Sequence, residues 1–222
     1  PKSTAYGSNL GGAILLDTKV SVQDKTQLIN SFTMGSYNML KDNLTFSHSE
    51  DGFNLSFSYN HLETDGFRQN SQFQRDGLLL NTQFRTGQKS SIALLVNYID
   101  YTAQIPSSIN QTDFEEDPTR AASNWLAAQG YEANKYILTG LSHTYQFSEH
   151  LQNTTSVFYT YLDHYEPRPF NILDEFTNGF GIRSRFTGNW GKADFTFGGE
   201  FYKDEYDWGT FENLYEENAA EA

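Results

Sequence analysis

The chain has 222 residues and is acidic, with Lys+Arg 15 against Asp+Glu 28 and a formal net charge of -13. That balance excludes nucleic acid as the main partner, because phosphate binding needs a basic face. It has no cysteine, which excludes disulfide scaffolds, thiolate zinc sites and cysteine nucleophiles.

Aromatic residues make up 16% of the chain and hydrophobic residues 37%, the balance of many half-buried strands. No continuous apolar run can cross a bilayer as a helix. A membrane β-barrel carries no such run, since its lipid-facing and lumen-facing residues alternate. No signal peptide is visible and Pro1 stands where an initiator methionine would, so the sequence reads as a fragment. Asn-X-Ser/Thr triplets begin at Asn43, Asn54, Asn110 and Asn153. Three of the four fall inside expected strands, and polar strands generate such triplets by chance.

In chain order, Tyr6 to Lys19 comes first, a glycine-rich turn feeding a short apolar strand. It has neither G-x-G-x-x-G nor G-x-x-x-x-G-K-[ST] and no helix follows, which argues against a nucleotide loop. Period-two alternation then dominates. A first hairpin turns at Gly35-Ser36-Tyr37-Asn38. Leu55, Phe57 and Tyr59 alternate with Asn54, Ser56 and Ser58, and Leu78, Leu80 and Phe84 with Asn81, Gln83 and Arg85. Ile92, Leu94, Val96 and Tyr98 share a face, although Leu95 and Ile99 blur the other. Further on, Phe180, Ile182 and Phe186 oppose Arg183 and Arg185, and Phe195, Phe197 and Phe201 oppose Asp194 and Glu200. This predicts about nine antiparallel strands of roughly ten or more residues, the length that crosses a bilayer with tilt.

The connectors alternate in length. Tight turns are expected near Asp51, Gly87, Glu149 and Gly191. Long connectors are expected at Glu63–Phe73, Gln104–Asn134, Asp163–Thr177 and from Asp207 onward. Short turns at one end and long loops at the other mark outer-membrane barrels; nothing imposes that alternation on a soluble β-sandwich. Within the longest connector, Pro118 to Gln129 reads as a short helix, with Asp117 as N-cap and Gly130 past its end.

Tyr6-Gly7, Gly11-Gly12, the apolar strand and Thr18-Lys19 resemble the end of the plug domain in TonB-dependent receptors, with Leu15-Leu16-Asp17 where that family often has an Asn-Ile pair. Asp65-Gly66-Phe67-Arg68, followed by Asn70-Ser71, is similar to a stretch in an early extracellular loop of those receptors, and Tyr37-Asn38 is also family-like. The resemblance implies a division at residues 1–22, the plug end, and 23–222, the first part of an all-β antiparallel transmembrane barrel. The family barrel has 22 strands, of which this chain would supply about nine. It further implies a location in the bacterial outer membrane and TonB-driven active uptake of a ferric siderophore, ferric citrate or similar iron chelate. The partners would be the ferric chelate, outer-membrane lipid, and the TonB complex through a segment absent from this chain.

No enzyme chemistry, cofactor or metal site is expected. The five histidines sit singly, with no nucleophile–base pattern. Arginine suits an anionic chelate, because its planar fork matches carboxylates. The expected loop contacts are Arg68, Arg120 and Arg168, with Trp125 and Tyr165 as stacking partners, and Arg183 and Arg185 facing the lumen. Alternatives are a small outer-membrane barrel for adhesion or anchoring, a receptor for haem, cobalamin or oligosaccharide, and a soluble β-sandwich.

Overall fold

The structure is a computed structural model and describes residues 25–215; the Tyr6 to Lys19 segment and the plug-end division lie outside them. Nine strands form one sheet whose spatial order is the chain order, every pair antiparallel. They are β1 (Lys25–Met34), β2 (Leu40–Glu50), β3 (Phe53–Thr64), β4 (Phe73–Gly87), β5 (Ser90–Gln104), β6 (Tyr131–Ser148), β7 (Leu151–Arg168), β8 (Asn171–Trp190) and β9 (Ala193–Phe211). Two short helices, α1 (Gln111–Glu116) and α2 (Ser123–Ala127), lie between β5 and β6. The four tight turns fall where the sequence places them, and bulges at Arg85/Gly87 and Gln146/Ser148 adjust the register beside two of them.

Two expected connectors are strand instead. Asp163–Thr177 is no loop: β7 and β8 stay paired up to Arg168 opposite Asn171, leaving Pro169 and Phe170 as the tip. Likewise, β9 continues past Asp207 to Phe211. The helix expected over Pro118 to Gln129 is also corrected. Asn110 caps α1, its Oδ1 accepting from the Asp113 amide at 2.8 Å, and Asp117 ends that helix rather than starting one. The Pro118 region is a turn, and α2 begins only at Ser123.

Register gathers the alternation into two continuous faces, since residues paired across strands lie on the same side. One is apolar: Leu44, Tyr59, Leu78, Tyr98, Ile137 and Tyr161 form one unbroken row across β2 to β7. Two residues toward the long-loop end, the next row is Asp42, His61, Asp76, Asp100, Lys135 and Asp163. The tyrosine hydroxyls reach into it, Tyr59 donating to Asp76 at 2.7 Å, Tyr98 to Asp100 at 2.9 Å and Tyr161 to Asp163 at 3.3 Å. Near the short-turn end the same face carries rings in contact, Tyr145 edge-on to Phe147, Phe147 stacked on Phe186, and Phe186 on Phe197. An apolar band bounded by two aromatic rows is therefore built into the register. From Ile92 to Asp100 it covers roughly 27 Å of strand, or roughly 20 Å at a 40° tilt, near the apolar height of outer-membrane barrels.

The opposite face is mostly polar, with Asn54, Ser56, Ser58, Asn81, Gln83, Ser142, Ser156 and Arg183. The described residues form no soluble-type core: their buried hydrophobic residues are Ala121 and Ile172, and no large side chain is fully buried. A β-sandwich needs a second sheet and a shared core. One sheet without either removes that alternative.

Candidate functional site at the long-loop end

Four connections meet at one end of the sheet: the turn after β1, the loop at 65–72, the long loop at 105–130 and the β7–β8 tip. The first three are tied together. In the first turn Tyr37 and Asn38 both have positive φ, 59° and 53°, a conformation uncommon outside glycine. It is held from the next loop. The Tyr37 carbonyl accepts from the Asp65 amide at 2.8 Å and from Thr64 Oγ1 at 3.0 Å, and its ring meets Phe67 edge-on at 5.7 Å.

Gly66 explains the Asp-Gly-Phe-Arg stretch. Its φ is +76°, and a Cβ there would overlap the Ser71 backbone carbonyl, so the turn requires glycine. That turn presents Arg68. Its Nε and Nη2 donate to the Arg120 carbonyl at 3.0 and 2.7 Å, and Nη1 to the Ser107 carbonyl at 2.7 Å. Asn70, at φ 52°, donates to the carbonyls of Ile105 and Gly130, both at 2.9 Å. Asn70 thus staples the two feet of the long loop and Arg68 ties its middle. The backbone adds a bond from the Gln69 amide to the Thr119 carbonyl at 2.8 Å. Gly130 lets the Trp125 ring close over the loop's far foot, where a Cβ would overlap it.

The sequence-predicted residues fall in three places rather than one. Arg68, Arg120 and Trp125 belong to this roof. Arg120 is ion-paired to Asp113, Glu116 and Asp117 at 3.2, 3.1 and 3.7 Å, and Glu116 above all raises its pKa. Asp117 is held below the usual carboxylate value, chiefly by the Thr119 hydroxyl and amide. Tyr165 and Arg168 lie at the end of β7. Tyr165 is on the apolar face, its ring 6.2 Å from Tyr131. Arg168 donates to Asn171 at 2.9 Å, pairs with Glu166 at 3.5 Å and sits over the Phe170 ring at 5.1 Å. Arg183 and Arg185 are lower on the polar face, Arg183 pairing with Glu200.

Residues that single-position reading missed line the polar face of β7 to β9. His164 Nδ1 lies 2.9 Å from Asn134 Oδ1, and its Nε2 lies 3.8 Å from Glu166 and 3.7 Å from Glu175. The Tyr206 hydroxyl donates to Glu175, and Trp208 stands opposite it. Alternation continued through 163–177 would have placed them.

The fold has counterparts among solved structures. The ferric citrate transporter FecA in its unliganded form superposes with a TM-score of 0.67 at 16% identity, over 83% of this chain and 29% of its own. The siderophore receptor PiuA from Acinetobacter baumannii gives 0.75 at 12% identity, over 95% of this chain and 34% of its own. The fold is that of part of a TonB-dependent receptor barrel. The copper transporter OprC shares it, with a TM-score of 0.66 at 14% identity over 88% of this chain and 32% of its own. The chain thus spans about a third of these proteins' length, and its open sheet matches part of their barrel wall. No family model matches the chain, and no curated protein matches it.

Proposed function

We propose that this chain is the first part of the barrel of a TonB-dependent outer-membrane receptor that takes up a ferric siderophore or a similar iron chelate. The carrying observation is the register-continuous apolar band, closed toward the long-loop end by tyrosines that donate into a charged row. A tyrosine with an apolar body and a wet hydroxyl suits the boundary between hydrocarbon and headgroups. On this reading the apolar face meets lipid, the polar face lines the lumen, and the four short turns are periplasmic. The tied loops stand outside the cell, where ligand arrives first.

Residues 1–22 are proposed as the plug end, on their resemblance alone. Arg68, Arg120, Trp125, Tyr165 and Arg168 belong to the extracellular end on this reading, and Arg183 and Arg185 to the lumen. Iron chelates are the proposed cargo because FecA and PiuA are a ferric citrate transporter and a siderophore receptor. OprC, a copper transporter, shows that the fold by itself does not fix the cargo.

The test is genetic and direct. Iron limitation raises expression of the gene on this proposal, and its deletion slows growth on a ferric chelate as sole iron source. Regulation by copper, cobalamin or carbohydrate with no response to iron would overturn the cargo.

A further inference from the structure

Leu95 and Ile99, which blur the alternation of β5, do not stand alone. Register places them on the polar face with Leu79 of β4, Leu138 of β6, and Phe158 and Leu162 of β7. The six surround Asn97, Gly140 and Thr160 in the middle of that face, on strands well inside the sheet. All six are half-buried, and no second layer of described residues lies against them. A contiguous apolar patch on an otherwise polar face marks a surface that something covers.

Gly140 gives the patch a hollow. It stands opposite Leu95 and Phe158. Glycine weakens a strand interior and often marks the close approach of another backbone. Here a Cβ would make only ordinary contacts, with the Val157 carbonyl at 3.7 Å and Phe158 Cβ at 3.8 Å, and the backbone is not left-handed. Neither conformation nor packing among the described residues therefore requires glycine. Gly77 and Gly181 on the same face differ, since Asn60 and the Phe158 ring already fill the space above them.

We infer that the apolar run Ala13-Ile14-Leu15-Leu16 docks on this patch, with one of its side chains seated over Gly140, so that the N-terminal segment is anchored to the wall formed by β4 to β7. This rests on the receptor reading above and on the plug-end reading of residues 1–22. The run is the longest apolar one among residues 1–24, and the patch offers it aliphatic and phenyl side chains. The reach is sufficient. Lys25 shares a register row with Ser49, Asn54, Gln83, Ala93 and Ser142. Gly140 is thus five strand spacings across and two residues along, roughly 25 Å away. The nine residues from Leu16 to Lys25 extend to roughly 30 Å.

The test uses the full-length protein in the outer membrane and cysteine pairs read by oxidative cross-linking. Ile14→Cys and Leu15→Cys are each paired with Leu95→Cys, and separately with Leu94→Cys on the opposite face. At least one of the two is expected to cross-link through Leu95→Cys, and neither through Leu94→Cys. Gly140→Leu fills the hollow without displacing backbone and should slow the cross-linking at least about tenfold, the effect of one Leu-sized side chain losing its burial. Leu138→Gln, which strips apolar cover without filling the hollow, should act in the same direction, and both variants should keep the barrel's heat-modifiable mobility. Folded protein that cross-links at neither position, or cross-linking untouched by both variants, overturns the inference and leaves the receptor reading standing. Cross-linking through Leu94→Cys overturns both, because it puts the segment on the face read as meeting lipid.

Discussion

Arg68 and Asn70 hold more of the long-loop end than any other pair of side chains described. Between them they satisfy four carbonyls of the 105–130 segment, and charge-assisted bonds such as those of Arg68 are worth roughly 1.5–3 kcal/mol each. Arg68→Ala is therefore expected to speed amide exchange in residues 105–130 by at least about tenfold while leaving the strands protected. Arg68→Lys should rescue little, because one ammonium cannot reproduce the planar fork. Unchanged exchange would show that the backbone bonds alone hold the roof. Asp117 adds a pH dependence. Its carboxyl is depressed from the ordinary 3.8 by Thr119, so its contribution is complete above that value and is lost as pH falls through the depressed one. Exchange at Thr119 and Arg120 should rise in that acid window and not near neutrality. The Asp65 to Arg68 stretch was legible as a family-like turn, but its role was not. Sequence shows that an arginine sits in a loop; only packing shows that it binds carbonyls rather than a ligand.

Among the elements, the period-two pattern gave the number of strands, about nine expected and nine in the sheet, because most of them have an apolar and a polar side. It erred where both faces carry charge and aromatics together. From Asp163 to Thr177, Asp, His, Glu and Pro mimic a loop, yet β7 and β8 remain paired through Pro167 and Ile172 to the tip. The helix reading failed for a related reason: Pro118 fits a first helical turn, but Asp117 accepts from Thr119 and closes α1 instead. The faces themselves are testable. Phe57 sits mid-band, opposite Phe46 and Leu80, whereas Ser56 lies between Ser47 and Asn81 on the other face. An arginine on the lipid side near the midplane costs roughly 2–4 kcal/mol and one in the lumen little. Phe57→Arg should thus impair folding into lipid vesicles far more than Ser56→Arg. The reverse order would invert the faces.

At the scale of the whole molecule, β1 and β9 end the sheet as open edges. Unpaired edge backbone is not tolerated in hydrocarbon, so the membrane reading requires both edges to be paired in the assembled barrel. Residues 25–215 expressed alone are accordingly expected to aggregate or stay unfolded with lipid vesicles, and a stable, protease-resistant monomer in bilayers would contradict the barrel-wall account. The alternation of short turns and long connectors was readable from sequence only in part, since 163–177 is paired strand up to a two-residue tip and β9 runs on to Phe211; the faces of 163–211 emerged only with the register. Sidedness is the central claim, and cysteine labelling in intact cells tests it most directly. Asn110 caps α1 in the loop between β5 and β6, and Gly191 sits in the β8–β9 turn at the opposite end. With single cysteines at these positions, a membrane-impermeant maleimide should label the Asn110→Cys protein in whole cells and the Gly191→Cys protein only after the outer membrane is opened. Equal labelling of both in intact cells would contradict the account.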